Sequence, residues 1–83
     1  MCINNNMRKK DKMYILMVIN GNNVVWEMMD YYVLVIDVIR YIQNKYNKPV
    51  KNIECDENQI YNRYTYLKDW ALFDGYCSLH VSL

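Results

Sequence analysis

In the first half of the chain, two mostly apolar segments flank an Asn-Gly pair. Residues 14–19 and 24–29 are rich in β-branched and other apolar side chains, and they flank Asn20 and Gly21. Asn-Gly readily adopts the positive φ angles of a tight turn, so this pattern predicts a hairpin of two antiparallel strands. A loop of two or of four residues would place the same side chains on one buried face: Ile15, Met17, Ile19, Val24, Trp26 and Met28.

The opposite face of this predicted hairpin is also mostly apolar. Its members are Tyr14, Leu16, Val18, Val25 and Glu27. A hairpin that is apolar on both faces lies either in the middle of a sheet covered on both sides or at an interface with another molecule. Both possibilities stay open at the level of sequence.

Residues 31–46 predict a helix. Asp30 is a candidate N-cap in front of it, and Asn47 with Pro49 would end it. At about 100° per residue, the apolar positions form one stripe and the polar positions lie opposite. The stripe consists of Tyr31, Val35, Val38, Ile39, Ile42 and Tyr46. We expect it to lie across the hairpin face that holds Trp26.

The segment after the predicted helix contains one short strand and one ambiguous stretch. Residues 50–55 predict a strand with Ile53 and Cys55 on one side. Residues 60–67 have strand propensity, but their two faces differ little in polarity. Residues 60–67 therefore form either a middle strand of the sheet or an irregular segment.

A second hairpin is predicted at the end of the chain. Asp74 and Gly75 provide the turn between residues 70–73 and 76–83. A two-residue turn would set Leu72 opposite Cys77 and Trp70 opposite Leu79. The expected buried face holds Trp70, Leu72, Cys77, Leu79, Val81 and Leu83, with Ser78, His80 and Ser82 facing outward.

These elements predict an α+β fold with a single helix packed on a mostly antiparallel β-sheet in the order ββαββββ. Eighty-three residues suffice for one domain, which we place at residues 13–83. Residues 1–12 carry four cations against one carboxylate and have little to bury, so we expect a flexible basic arm. The arm would either touch a phosphate backbone or be dispensable.

The longest apolar run, residues 31–36, is far shorter than the roughly 20 residues of a membrane span. Three cysteines without a C-x-x-C pair are typical of reduced thiols, so we expect a cytoplasmic protein. Asparagine, tyrosine, isoleucine and lysine are abundant. All four are encoded by AT-rich codons, and such a composition is compatible with a phage or mobile-element accessory protein.

Few residues are candidates for catalysis or metal binding. His80 is the only histidine, and Cys77 would face away from it on a strand, so we expect no metal site. Cys55 and Cys77 fall on predicted core faces, where a free thiol is usually structural. Gly21 and Gly75 are both needed for turns, which leaves no glycine-rich phosphate loop. The sequence therefore predicts no enzyme activity and no cofactor.

The candidate binding residues lie between residues 56 and 70. Aromatic rings interleaved with cations can stack on bases or anchor a protein partner, and a neighbouring acidic turn can meet a basic patch. The candidates are Tyr61, Arg63, Tyr64 and Tyr66, together with Asp56 and Glu57.

The leading hypothesis is a small non-catalytic module that binds and inhibits a host macromolecule, with a protein as the first expected partner. The alternative is a nucleotide or single-stranded nucleic-acid binder that uses residues 61–70. Residues 13–83 carry six cations against eight carboxylates, which disfavours long polyanions. Homodimerisation would be one way for so small a domain to cover leftover apolar surface.

Overall fold

A computed structural model describes residues 12–56 and 62–83. The elements in these ranges are β1 (Lys12–Ile19), β2 (Asn23–Asp30), α1 (Val35–Tyr46), β3 (Asn52–Cys55), α2 (Leu67–Ala71), β4 (Leu72–Phe73) and β5 (Tyr76–Ser82). One main helix accompanies a sheet of 5 strands that is mostly antiparallel with one parallel pair, so the predicted α+β fold is confirmed. Most of the predicted arm, Glu57 and Tyr61 lie outside the described residues.

The sheet places the first and last strands of the described chain side by side. Its strand order is β2-β1-β5-β3, and β4 pairs with β5 as well. The parallel pair is β1 with β5, in which Tyr14 lies opposite Tyr76 and Ile19 lies opposite Val81. All other pairs are antiparallel. β2 is therefore an edge strand, one position away from the centre of the sheet.

The first turn contains three residues, where the sequence predicts either two or four. Asn20 and Gly21 have φ angles of 53° and 83°, and the Asn22 N–H donates to the Ile19 carbonyl at 3.3 Å. The ladder nevertheless begins with Ile19 opposite Asn23, so Asn22 is an extra residue between turn and strand. A shift of one residue moves every side chain of β2 to the other face of the sheet.

The predicted buried face of the hairpin is therefore half wrong. Ile15, Met17 and Ile19 are buried as expected, but they share their face with Val25, Glu27 and Met29. The side chains expected beside them lie on the opposite face and are 60%, 56% and 58% exposed: Val24, Trp26 and Met28. The helix consequently covers the Ile15 face of the hairpin and not the Trp26 face.

The main helix starts four residues later than predicted. β2 continues to Asp30, which therefore does not cap α1. Main-chain carbonyls from a distant segment accept the first N–H groups instead: Thr65 accepts from Val35 and Arg63 accepts from Ile36, both at 2.9 Å. These groups would otherwise lack partners at a helix N-terminus. The predicted end at Asn47 is confirmed, because this residue has a φ angle of 54°.

Residues 62–67 do not form the predicted middle strand. Residues 62–66 form turns that end in an isolated bridge between Leu34 and Tyr66, and α2 begins at Leu67. The expected pairing of Trp70 with Leu79 is also wrong, because Trp70 lies in α2. Residues 60 and 61 of the predicted strand lie outside the described residues.

The last hairpin forms as predicted near its turn. Asp74 and Gly75 have φ angles of 52° and 85°, and Leu72 lies opposite Cys77. The core between sheet and helix also contains most of the expected side chains, including both described cysteines. Its members are Met13, Ile15, Met17, Ile19, Val35, Val38, Ile39, Ile42, Ile53, Cys55, Leu67, Trp70, Ala71, Cys77, Leu79 and Val81.

Glu27 connects the edge strand to the helix. Its carboxylate accepts hydrogen bonds from the Lys45 ammonium and, at 2.9 Å, from the Tyr41 hydroxyl. The Lys45 hydrogen bond is the main reason why the pKa of Glu27 is lowered from 4.5, and the same bond raises the pKa of Lys45 from 10.5. Because of the shift in register, Glu27, which was predicted on the second face, lies on the helix side and binds α1.

We expect Glu27→Gln to lower the free energy of unfolding by about 1 kcal/mol at neutral pH. Because the pKa of Glu27 is lowered on folding, its contribution is complete above pH 4.5 and disappears as the pH falls through the folded-state pKa. Urea unfolding of wild type and variant at neutral pH and below that pKa measures the difference. Glu54→Gln, on the exposed face of β3, is the control. An equal difference at both pH values would contradict the assignment.

Candidate functional site

The face of the sheet opposite α1 is apolar and is not covered by any element of the described chain. Tyr14 and Phe73 are 59% and 56% exposed there, in addition to the three side chains of β2. We call this surface the aromatic face, and it comprises Tyr14, Leu16, Val18, Val24, Trp26, Met28, Phe73 and Tyr76. Contiguous exposed apolar surface of this kind is uncommon on a soluble monomer and marks interaction sites.

The rings of the aromatic face hold one another in place. Trp26 meets Tyr14 edge to face, with 6.5 Å between ring centroids, and Tyr76 at 5.7 Å. Leu16 lies directly opposite Trp26 in the ladder between β1 and β2. These contacts fix the rings on three adjacent strands, so little side-chain freedom remains to be lost when a partner covers them.

The same face becomes polar and acidic toward β3. The Asp56 carboxylate accepts a hydrogen bond from the Ser78 hydroxyl at 3.2 Å and lies 3.2 Å from Nε2 of His80. Glu54 stands opposite His80 in the ladder, and Asp74 lies in the turn that follows Phe73. We call Glu54, Asp56 and Asp74 the acidic rim.

The cluster of Ser78, Asp56 and His80 does not have the arrangement of a nucleophilic triad. The serine hydroxyl and the imidazole both contact the same oxygen of Asp56. A triad requires the imidazole to contact the serine and to be oriented by the carboxylate. His80 and Asp56 are also about half exposed, at 54% and 51% of their side chains. This geometry is that of a surface hydrogen-bond network.

Neither described cysteine is placed as a nucleophile. Burial, and to a lesser extent the nearby Cys55, raises the pKa of Cys77 to about 12, so its thiol stays protonated at neutral pH. Both thiols are buried. Among the described residues no group of His, Cys, Asp and Glu side chains could hold a metal ion, and no helix there is long and apolar enough to cross a membrane.

The residues predicted as a binding site are distributed over different surfaces. Asp56 belongs to the acidic rim. Tyr66 instead packs against Tyr32 at 5.6 Å, and Tyr64 is 78% exposed with its N–H bound to Asn62 at 3.0 Å. The Arg63 carbonyl accepts a hydrogen bond from the Ile36 N–H of α1, and Arg63 also lines a cleft between α1 and β3. Glu57 and Tyr61 lie outside the described residues.

The aromatic face was not among the predicted binding residues. The sequence signal for it was the hairpin with two apolar faces, one of which had to be covered by something other than α1. The pairing of Asp56 with His80 had no such signal, because it depends on the register between β3 and β5. No family model matches this chain, and neither a curated protein nor a solved structure matches it.

Proposed function

We propose that this chain is a small non-catalytic module that binds another protein through the aromatic face. The observation that carries the proposal is the exposure of five large apolar side chains on one sheet face. These side chains are Tyr14, Val24, Trp26, Met28 and Phe73. Tryptophan and tyrosine are the residues that most often dominate binding energy at protein interfaces.

The acidic rim indicates the charge of the partner. Glu54, Asp56 and Asp74 border the apolar surface on one side, so a complementary partner carries an apolar patch with Lys or Arg beside it. Phosphate groups of a nucleic acid would be repelled at this rim. A protein partner is therefore favoured over a nucleic acid on this face.

The proposed role is inhibition of a host protein. A binder that covers a basic patch on its partner keeps the partner's anionic ligand away from that patch. Such inhibition requires no catalytic step. The composition typical of an AT-rich genome is compatible with a phage or mobile-element origin for such an inhibitor.

The proposal is tested with Trp26→Ala and the control Tyr64→Ala, which removes an exposed aromatic ring from another surface. A partner is first identified by capture on the wild-type chain and is then purified. Titration calorimetry should give a dissociation constant about 30-fold higher for Trp26→Ala and unchanged for Tyr64→Ala. Neutralising Glu54 and Asp56 to amides should slow association and reduce its dependence on salt.

Three results would overturn this assignment. The first is loss of binding in Tyr64→Ala with normal binding in Trp26→Ala. The second is a partner whose contact surface is acidic. The third is a wild-type dimer that Trp26→Ala converts to a monomer, because the aromatic face would then be occupied by a second copy of the chain.

A further inference from the structure

A cleft between α1 and β3 lies on the helix side of the sheet, away from the aromatic face. Its volume is about 200 Å³, and Ile39 and Ile53 contribute to its apolar walls. Three cationic residues line it: Arg40 of α1, Lys51 just before β3, and Arg63 in residues 62–66, which cap α1. We call these three residues the cationic cluster.

Main-chain hydrogen bonds fix the backbone of two of the three cations. The Arg63 carbonyl accepts the Ile36 N–H at 2.9 Å, and the Lys51 N–H donates to the Ser82 carbonyl at 2.8 Å. Arg40 lies one turn after Ile36 on the same helix. The cluster is therefore built from three distant parts of the sequence that the fold holds at one cleft.

The cleft has an excess of positive charge. Asp37 approaches Arg40 at 3.8 Å, and both side chains are at least half exposed, so this pair is weak. Within residues 12–56 and 62–83, no carboxylate pairs with Lys51 or Arg63. Like charges that share one cleft repel one another, and an anion bound between them removes that repulsion.

Gln43 adds a neutral donor at the same place. Its side-chain oxygen accepts the Val50 N–H at 3.0 Å, which fixes the orientation of the amide. The amide NH₂ group is then left as a donor at the wall of the cleft. Guanidinium, ammonium and amide donors together are suited to an oxyanion with several acceptor oxygens.

We propose that the cationic cluster binds the phosphate group of a small phosphate monoester. Arginine matches phosphate in a bidentate geometry, and a dianion balances Lys51 and Arg63, the two cations that no carboxylate of the described residues pairs with. The volume is below the roughly 300–1,000 Å³ of pockets that enclose drug-sized ligands. It therefore accommodates a phosphate with a few attached carbon atoms and is too small to enclose a nucleotide.

NMR titration of the full chain with glycerol phosphate tests this proposal. Saturable shifts are expected at the amides of Ile36, Gln43 and Lys51, with sodium chloride at equal ionic strength as the reference. Arg63→Gln and Lys51→Gln should each weaken binding about tenfold, the effect of losing one charge-assisted hydrogen bond. Lys48→Gln is the matched control, because Lys48 is a nearby exposed lysine that does not line the cleft.

Equal weakening in Lys48→Gln and Arg63→Gln would overturn the proposal, since it would show non-specific charge attraction. Tighter binding of a nucleotide, an oligonucleotide or a dicarboxylate than of the monoester would also overturn it. Trp26→Ala should bind the monoester normally, so the outcome is independent of protein binding by the aromatic face.

Discussion

Replacing Ile42 with aspartate is expected to destabilise the domain severely. Ile42 is fully buried at the centre of the apolar stripe of α1, between the helix and the sheet. The substitution places an unpaired carboxylate among apolar side chains, which costs at least about 4 kcal/mol. Domains of this size have roughly 5–15 kcal/mol of total stability, so the substitution should remove a large part of it and move the unfolding transition to a much lower urea concentration. Circular dichroism with urea or thermal unfolding measures this loss.

Two further variants show whether burial is the cause. Asn44→Asp introduces the same carboxylate on the exposed side of α1 and should change stability by less than about 0.5 kcal/mol. Ile42→Val removes one methylene group from the core and should cost about 1 kcal/mol. If Ile42→Asp and Asn44→Asp unfolded at the same urea concentration, α1 would not lie on the sheet as described.

The elements that sequence predicts correctly are those set by local periodicity and turn chemistry. The stripe of α1 repeats over three turns, and four of its members are buried. Asp74 and Gly75 adopt the expected positive φ angles, and the ladder follows directly from them. In both cases one arrangement buries the apolar side chains and the alternative exposes them, so the pattern selects the fold.

For the first hairpin, the hydrophobic pattern does not select one register over another. Both faces of the hairpin are apolar, so a slip of one residue exchanges one apolar set for another with little difference in hydrophobic pattern. The extra residue, Asn22, is of the same type as Asn20 and Asn23 beside it, so the sequence does not mark it as extra. Three of the eight members of the aromatic face, Val24, Trp26 and Met28, are exposed only because of this slip, so the composition of the candidate site could not be derived from the sequence.

Residues 62–66 show a second limit of local patterns. Tyr64 and Tyr66 favour a strand by propensity, but this segment has little polar contrast and its carbonyls satisfy the first turn of α1 instead. Tertiary hydrogen bonds thus override a weak local preference. The cationic cluster is equally hidden from sequence, because Arg40, Lys51 and Arg63 meet only after this segment has docked.

Leu67→Ala is expected to lower the free energy of unfolding by about 3 kcal/mol. It should also loosen residues 62–66, which cap α1, more than the rest of the domain. Leu67 is fully buried, and its N–H donates to the Val33 carbonyl at 2.8 Å, immediately after residues 62–66. Truncating this anchor frees the segment whose carbonyls bind the N–H groups of Val35 and Ile36. Amide hydrogen exchange should therefore accelerate more at Val35 and Ile36 than at the central strands β1 and β5.

Tyr64→Ala provides the control within the same segment, because its ring is mostly exposed and contributes little to the core. It should leave both the urea midpoint and the exchange of Val35 and Ile36 close to wild type. Uniform acceleration across all amides in Leu67→Ala would mean that the segment opens only together with the whole domain. The observation expected from the contacts is a local opening at the start of α1, since two main-chain hydrogen bonds there depend on the position of residues 62–66.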